Sequence, residues 1–561
     1  MIEISVIIPT YNRLEKLQAC LDSLGRQSIS IDKYEVIVVV DGSTDGTQEY
    51  LAGLATPFKV TVICLQNQGQ SVARNRGAEK ASGQYLLFID DDMVASRELI
   101  REHLQGLSRH KGHVALGNMT LLNPDYGDWY TKAYADAWKQ HYVELANRSP
   151  EWRDLFGGNV SMERTLFRAV GGFTAGVPHC NDIEFGYRFH RQGTPFVYLA
   201  SAIATHTDHK TWRQLIAESD QKGAAMVDLI QRHPSLLKEL AQCFRIVPPF
   251  RRLALCGLLR LDLPVERVVP LCGGLIPKAW RRRCYKILQQ YIYWRGVKRA
   301  LEARSQGSWA GFSRGVPILM YHAFSENPDK CGRYIISARR FRQQLRWLYL
   351  HKYRVIGLEE YARMLESGQP LSDRTVVMTI DDGYAEVITI ALPLLQRLGF
   401  SASFFLPSNC IGGVNCWDSS GELAGRKIIS WHDAKTWLSC GMDIGAHTRN
   451  HPCLPELTAE KAQAEIEGSR KDIESNLGVR TLAFSYPYGA YNDFVMGIAE
   501  KVGYCVSCSV EEGLNHPATP PHALRRVEIR GGDPLWVFIL KVRFGTIRTK
   551  LAQTLRRLCR I

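Results

Sequence analysis

Short runs of β-branched residues that end in carboxylates, with helical periodicity between them, appear in both halves of the chain and constrain its fold most tightly. Residues 2–10 (IEISVIIPT) and 35–41 (EVIVVVD) are such runs. Between them Leu14, Leu17, Cys20, Leu21 and Leu24 recur at helical spacing, the mark of a βαβ unit and hence of a parallel sheet. A further run, Tyr85–Ile89, ends in Asp90-Asp91-Asp92. From Val316 a second alternation begins: PILMYH, a helical stretch, VVMTIDDGY, another helical stretch, then SASFFLP. The two halves carry different motifs, so they are not repeats of one another.

A length of 561 residues leaves room for two buried cores. The net charge of +14 is local rather than general. Residues 245–304 hold 14 Lys and Arg against 3 Asp and Glu, and residues 534–561 hold 7 against none. The remainder is mildly acidic, which argues against a chain-wide surface for nucleic acid. The stretches 281–304 and 535–561 mix these cations with Tyr, Trp, Ile and Leu. That pattern fits either docking on an anionic membrane face or an apolar face packed on a domain beneath solvated cations. Met1 leads straight into a strand pattern without a basic leader. The most apolar long stretch, Leu253–Ile276, is broken by Arg260, Asp262, Glu266 and Arg267. Fifteen scattered cysteines suit a reducing compartment, and the one Cys-x-x-Cys, Cys505 to Cys508, reads as a structural strand segment. A cytoplasmic location is expected, with the inner face of the plasma membrane as the place for any peripheral contact.

In open α/β sheets ligands bind beyond the carboxyl ends of the strands. Three polar clusters fall there: Pro9-Thr10-Tyr11-Asn12, Asp41-Gly42-Ser43-Thr44-Asp45-Gly46 and Asp90-Asp91-Asp92. An aspartate can accept from a ribose hydroxyl, and paired carboxylates can hold Mg²⁺ or Mn²⁺ against a diphosphate. Arg74, in NQGQSVARNRG, is a candidate to face that diphosphate. Any one cluster could be no more than a turn. Taken in order, SVIIPTYNR, VVDGSTDGT, NQGQSVARNRG and IDDDM, followed by FGGNVSMERTLFRAVGGF and NDIEFGYRF, resemble the inverting family 2 glycosyltransferases of GT-A fold. The resemblance implies a nucleotide-sugar site at Pro9, Tyr11, Asp41, Arg74 and Asp90. It implies a DxD-type pair, Asp90 and Asp92, with Asp92 as the metal ligand, and Asp182 as general base, with Glu184 a lesser candidate. His206 could complete the metal shell or be an ordinary histidine. In this half no Gln-x-x-Arg-Trp follows, which argues against a processive polymer synthase.

In the C-terminal half, Asp381-Asp382-Gly383 ends an apolar strand, and His447 and His451 follow at i,i+4. Two imidazoles and one carboxylate make a three-ligand set with positions left for water and substrate, as a catalytic zinc site requires. With FSYPYG at 484–489 these segments resemble the NodB-type polysaccharide deacetylases. The resemblance implies Asp381 as base, with Asp382, His447 and His451 holding Zn²⁺ or another transition metal. The YPYG segment would line the acetyl pocket, with a backbone N–H near Tyr488 aiding the oxyanion. Leu514-Asn515-His516 is a weak match to the usual C-terminal segment. Pro317–His322 instead resembles the opening segment of the subgroup acting on poly-N-acetylglucosamine. An acid must protonate the departing amine, which suits histidine. His322, at an expected strand end, is preferred over His516, in a Gly/Asn/Pro-rich stretch. Arg480 and Arg526 are candidates to orient Asp381.

The expected fold class is α/β: a GT-A nucleotide-diphospho-sugar transferase domain at 1–235, a basic helical linker at 236–312, a NodB-type deformed (β/α) barrel at 313–535 and a basic tail at 536–561. The expected partners are a nucleotide-sugar donor, a glycan or lipid-linked acceptor and an N-acetylated amino sugar, in cell-surface glycan synthesis. Two rivals remain: activity in one half alone, or a carbohydrate-binding scaffold with inactive sites. Against the scaffold, Asp92, Asp182, Asp381, Asp382, His447 and His451 are all present.

Overall fold

The structure is a computed structural model describing residues 1–546 except 123–127, 178, 209, 266, 268, 270–275, 305–308, 328, 330, 370 and 373. Residues 547–561 of the basic tail lie outside the described residues. The chain divides into two units: Met1–Leu229 with Gly257–Arg299, and Ile230–Cys256 with Ala300–Ile561.

Unit 1 is built on a mixed sheet of β1 (Ile4–Thr10), β2 (Tyr34–Asp41), β3 (Lys59–Leu65), β4 (Tyr85–Ile89), β5 (Met93–Ala95), β6 (Val114–Leu121), β7 (Asn159–Glu163) and β8 (Phe196–His206), in the order β3-β2-β1-β4-β7-β6-β8-β5. The first four strands are parallel, and β7 runs antiparallel to both β4 and β6. Every residue of β1, β2 and β4 is buried, as expected where helices cover both faces of a parallel sheet. The edge strand β3 is half-exposed. The chain winds outward from β1 to β3 and then returns to β4, so a crevice opens at the carboxyl ends of β1 and β4.

The basic helix Lys278–Arg304, expected to be a linker, packs its middle into unit 1 and buries Tyr285, Tyr291, Ile292, Trp294 and Val297. It crosses the helix Trp212–Arg232 at two glycines. A Cβ on Gly296 would stand 2.0 Å from the Asp220 carbonyl, and one on Gly223 would stand 2.1 Å from the Tyr293 carbonyl. Buried Arg295 seals the crossing with a 2.9 Å bond to Asp220. Packing therefore accounts for these five residues, whereas Trp280 and Ile287 of the same helix are exposed, and no observation on the described residues supports a membrane contact. No described helix is long and apolar enough to cross a membrane.

Unit 2 is a closed barrel of seven parallel strands: β9 (Ile318–Tyr321), β13 (Thr375–Ile380), β14 (Ser403–Leu406), β15 (Asp443–Ala446), β16 (Ala483–Ser485), β17 (Val506–Glu512) and β18 (Leu524–Glu528). Pairing of β9 with both β18 and β13 closes the ring, and β12 (Arg354–Ile356) adds to β13 outside it. A short pair, β10 (Ala323–Ser325) and β11 (Ile335–Ser337), stands apart. The expected GT-A-like and NodB-like architectures are thus both present.

At the amino ends of the barrel strands, Asp443 accepts from Ser403 Oγ at 3.1 Å and from the Glu359 backbone at 3.2 Å. Burial, and then Asp443, push the Glu359 carboxyl up to about 7 against the pull of Arg363. The folded state therefore favours protonated Glu359, a contribution fully present below its ordinary value of 4.5 and lost as pH rises through about 7. Glu359→Gln should raise the melting temperature at pH 8 but not at pH 4, as read by calorimetry. In the same assay Gly296→Ala should destabilise unit 1 by roughly 1–3 kcal/mol through overpacking. Gly497→Ala, where nothing lies within 4 Å, should not destabilise.

Candidate active sites

In unit 1 the sequence clusters meet at the crevice. Pro9 is buried within β1, and Tyr11 just beyond it is 47% exposed. Asn12, in the left-handed region, ties the first two loops: its Oδ1 accepts from Thr44 N at 2.8 Å and its backbone donates to Ser43 Oγ at 3.0 Å. Buried Asp41 accepts from the backbone of Gln68 at 2.7 Å and Gly69 at 2.6 Å, which fixes the loop leading into helix Gln70–Lys80.

That helix carries Arg74, whose side chain is 1% exposed. Its guanidinium bridges Asp90 at 2.7 Å and Asp182 at 3.1 Å. Asp182 stands in the first turn of helix Asn181–Arg191. Glu184 in the same turn is buried and committed to Arg188, at 2.9 Å. Gly157 and Gly158 leave the space these groups occupy. A Cβ on Gly157 would lie 2.6 Å from both Arg74 Nη1 and Asp182 Oδ1, and one on Gly158 would lie 2.9 Å from Asp90 Oδ2. FGGN was legible as a family motif, but the reason for its glycines was not.

Asp91 and Asp92 are buried beside Arg13, at 3.2 and 2.8 Å. Burial pushes the Asp91 carboxyl up to about 6 against the pull of Arg13. Burial also raises Asp92, with Asp90 adding to the effect and His206 and Arg13 opposing it. Asp92 Oδ1 has no hydrogen-bond partner, and His206 Nε2 lies 3.5 Å from Asp92 Oδ2. A crowded carboxylate set with an orphaned oxygen and a facing imidazole fits a divalent cation of the Mg²⁺ or Mn²⁺ type.

Asp90, Asp182 and His206 line a cavity of about 420 Å³, walled by Tyr134, Trp138, Phe156 and Tyr285. Asp90 and His206 also line an adjoining polar cavity of about 300 Å³, with Arg13, Asp91 and Asp92. Tyr285 and Gln289 come from helix Lys278–Arg304, so a segment read as linker supplies part of the site. The signal in the sequence was their i,i+4 spacing on one helix face.

In unit 2 the acidic and imidazole groups converge at the carboxyl ends of β13 and β15. Asp381, buried, accepts from Arg526 at 2.7 Å and from Ser485 Oγ at 3.3 Å. Burial alone would raise its carboxyl, but the buried Arg526 guanidinium outweighs it and holds it below the usual range. Arg480 is exposed, so Arg526 is the arginine that meets Asp381.

Asp382 has a left-handed backbone, as do Thr448 and His451. The i,i+4 spacing of the histidines is realised in a loop rather than a helix. Both Nε2 atoms, of His447 and His451, lie 3.3 Å from the same oxygen of Asp382. His447 Nδ1 donates to the Ser485 carbonyl at 2.7 Å, which leaves its Nε2 lone pair facing the cluster. Among the described residues this is the one group of three ligand atoms within 4.8 Å of one another. Metal bonds of roughly 2.0–2.2 Å at tetrahedral angles separate ligand atoms by about 3.3–3.6 Å, so the spacing and the donors fit a transition metal of the zinc type.

Trp417 stacks on His451 at 4.5 Å and Tyr488 meets it edge-on at 4.8 Å. A cavity of about 1050 Å³ holds His322, Asp381, Asp382, His447, His451 and Tyr488 along its wall. His516 is not part of that wall. Burial, with Arg245 beside it, lowers its imidazole to about 4. One Gln-x-x-Arg-Trp spacing, Gln343 to Trp347, lies on the barrel helix Ala338–Leu350, where Trp347 stacks on His351.

A family model described as Glycosyl transferase family 2 matches residues 5–171, and one described as Polysaccharide deacetylase matches residues 368–507. The Bacillus subtilis protein YxkH, which carries a provisional polysaccharide deacetylase name, is 28% identical over 217 residues, covering 39% of this chain and 72% of that protein. The validoxylamine A glucosyltransferase of Streptomyces hygroscopicus subsp. jinggangensis is 27% identical over 265 residues, covering 42% of this chain. The match spans 62% of that glucosyltransferase, less than two thirds of its length. Among solved structures, the Streptococcus pyogenes deacetylase PplD in complex with acetate is 24% identical with a TM-score of 0.37, covering 41% of this chain and 98% of that one.

Gly157→Ala should push Arg74 from Asp182. Because a misplacement of about 1 Å can cost roughly 10²-fold in rate, sugar transfer should fall by at least tenfold while metal content and hydrolysis at unit 2 stay unchanged. Unaltered transfer in this variant would remove the pair from the site.

Proposed function

This chain joins a family 2 glycosyltransferase domain to a polysaccharide deacetylase domain, and from that premise we propose that both are active. The first transfers a sugar from a nucleotide donor with inversion. The second removes an N-acetyl group from an amino sugar. The observation that carries the reading is the same in both units: a buried arginine holding a candidate base beside groups able to bind metal. The catalytic domains are read as 1–235 and 313–535, with helix Lys278–Arg304 completing the first.

In the transferase, Asp182 takes the proton of the acceptor hydroxyl, and Arg74 keeps that carboxylate aimed. The aromatic cavity beside it receives the acceptor, a glycan or lipid-linked sugar. Asp41 holds the loop against which the nucleotide lies, with Pro9 and Tyr11 at its edge. Asp90, Asp92 and His206 would hold Mg²⁺ or Mn²⁺, which neutralises charge on the leaving diphosphate. A single in-line displacement then inverts the anomeric carbon.

In the deacetylase, Asp381 takes the proton of the attacking water, kept ionised by Arg526. Asp382, His447 and His451 would hold Zn²⁺ or a similar ion, which acidifies water and polarises the amide carbonyl. A backbone N–H at Tyr488 stabilises the developing oxyanion, and His322 protonates the leaving amine. The reading puts both reactions on the cytoplasmic side, where nucleotide sugars are made, in the synthesis of a cell-surface glycan.

The test is to incubate the full chain with a panel of nucleotide sugars and N-acetylated amino-sugar acceptors and to read the products by mass. Asp92→Asn should abolish transfer and leave deacetylation within a few-fold; Asp382→Asn should do the reverse. Loss of both activities in either folded variant would sink the two-site reading. His322→Ala should cut deacetylation by about 10²–10⁴ with metal retained, and His516→Ala by less than tenfold.

A further inference from the structure

A second cavity, of about 930 Å³, adjoins the deacetylase site and plays no part in the chemistry above. Arg333 and Arg530 line both cavities, so they form a shared wall. Beyond that wall the second cavity carries Arg339, Arg340, Ser337 and the backbone of Gly531-Gly532. Its charges do not balance. Glu528 alone serves both Arg333, at 2.8 Å, and Arg530, at 2.7 Å. Asp533, the one acidic residue among those lining the cavity, is taken up by the buried Lys541, at 2.5 Å. Among the described residues no carboxylate lies within 4.0 Å of Arg339 or Arg340. Glu422 also sits at this wall, accepting from the Arg333 backbone at 3.0 Å, so four arginines and a lysine against three acids leave two positive charges around one concavity.

Guanidinium groups match phosphate oxygens in paired, charge-assisted hydrogen bonds. A lone carboxylate would neutralise one of these charges, whereas a diphosphate can meet both. The volume exceeds what a phosphoryl group fills, which leaves space for whatever the phosphate is esterified to. Gly532 faces open space, with nothing within 4 Å of where a Cβ would stand.

Resting on the deacetylase reading of the neighbouring site, we propose that this arginine-lined cavity binds the phosphate or diphosphate of the substrate. The amino sugar that loses its acyl group is then a phosphoryl-linked sugar rather than a neutral polysaccharide. Arg333 and Arg530 sit where sugar and phosphate join, and Arg339 and Arg340 take the distal charge.

Deacetylation by the full chain is to be compared on four substrates: N-acetylglucosamine 1-phosphate, UDP-N-acetylglucosamine, a short-chain polyprenyl diphosphate N-acetylglucosamine, and neutral triacetylchitotriose. At least one phosphoryl substrate should show a KM tenfold or more below that of the neutral one. Which one does so distinguishes a free sugar phosphate, a nucleotide and a lipid carrier. The double variant Arg339→Ala/Arg340→Ala should raise that KM at least tenfold, with kcat and the neutral substrate's KM within twofold. Inorganic pyrophosphate should compete with the phosphoryl substrate in the unaltered chain and at least tenfold more weakly in the variant. Equal KM values for neutral and phosphoryl substrates, or a variant without effect, would overturn the proposal. Pyrophosphate inhibition of equal strength in both chains would report metal chelation and would also overturn it. If no substrate is deacetylated, the enzymatic reading fails by itself. The cavity is then judged by calorimetry, where pyrophosphate binding that weakens tenfold in the double variant upholds it and unchanged binding refutes it.

Discussion

Two buried arginines hold the chemistry of this chain in place. Arg74 in unit 1 and Arg526 in unit 2 are both almost wholly removed from solvent, and each is bonded to the aspartate proposed as its domain's base. A charge in such surroundings costs several kcal/mol unless it is paired. Each arginine therefore needs its carboxylates, and Arg526 in turn holds the Asp381 carboxyl below its usual range. Removing either partner would leave an uncompensated charge in the interior rather than a merely weaker contact.

Around these pairs the backbone is held in conformations that side chains seldom adopt. Asp382, Thr448, His451 and Tyr488 all have positive φ, and all belong to the same rim of the barrel. Each such residue costs about 1–3 kcal/mol and persists only when its surroundings over-determine it. Here they do. Ser408 donates to the Thr448 carbonyl at 3.1 Å, the His451 backbone donates to Thr448 Oγ1 at 3.0 Å, and Glu465 accepts from the backbone of Arg449 and Asn450, each at 2.9 Å. The result aims two imidazoles at one carboxylate oxygen, a geometry that a helix carrying the same spacing would reach by a different route.

The two units solve a similar problem with different sheets. In unit 1 the reversal of winding direction opens a crevice between β1 and β4, so its groups arrive from several loops and two later helices. In unit 2 barrel closure brings every strand end to a common rim. The ring of strands gathers its metal-binding groups on the wall of one broad cavity, whereas the groups of the open sheet line two adjoining ones, one polar and one aromatic.

Much of this was legible from local pattern. Strand runs ending in Asp41, Asp90 and Asp381 predict parallel sheets with carboxylates at their carboxyl ends, because period and burial are properties of short segments. The ligand set Asp382, His447 and His451 was readable from spacing and family resemblance. What tertiary structure decided is which distant residue meets which. Arg526 lies 145 residues from Asp381, and Arg74 lies 108 from Asp182. Of the two arginines weighed for Asp381, only barrel closure selects Arg526 and leaves Arg480 in solvent. Glu184 looks as available as Asp182 in sequence, yet helix geometry gives it to Arg188. Tyr285 sits in a stretch whose charge suggested a linker, and only the glycine crossing at Gly223 and Gly296 brings that helix close enough to wall a site. Composition and period report what a segment can become, but pairing across more than a hundred residues is set by how the sheets close and how nearly the helices approach.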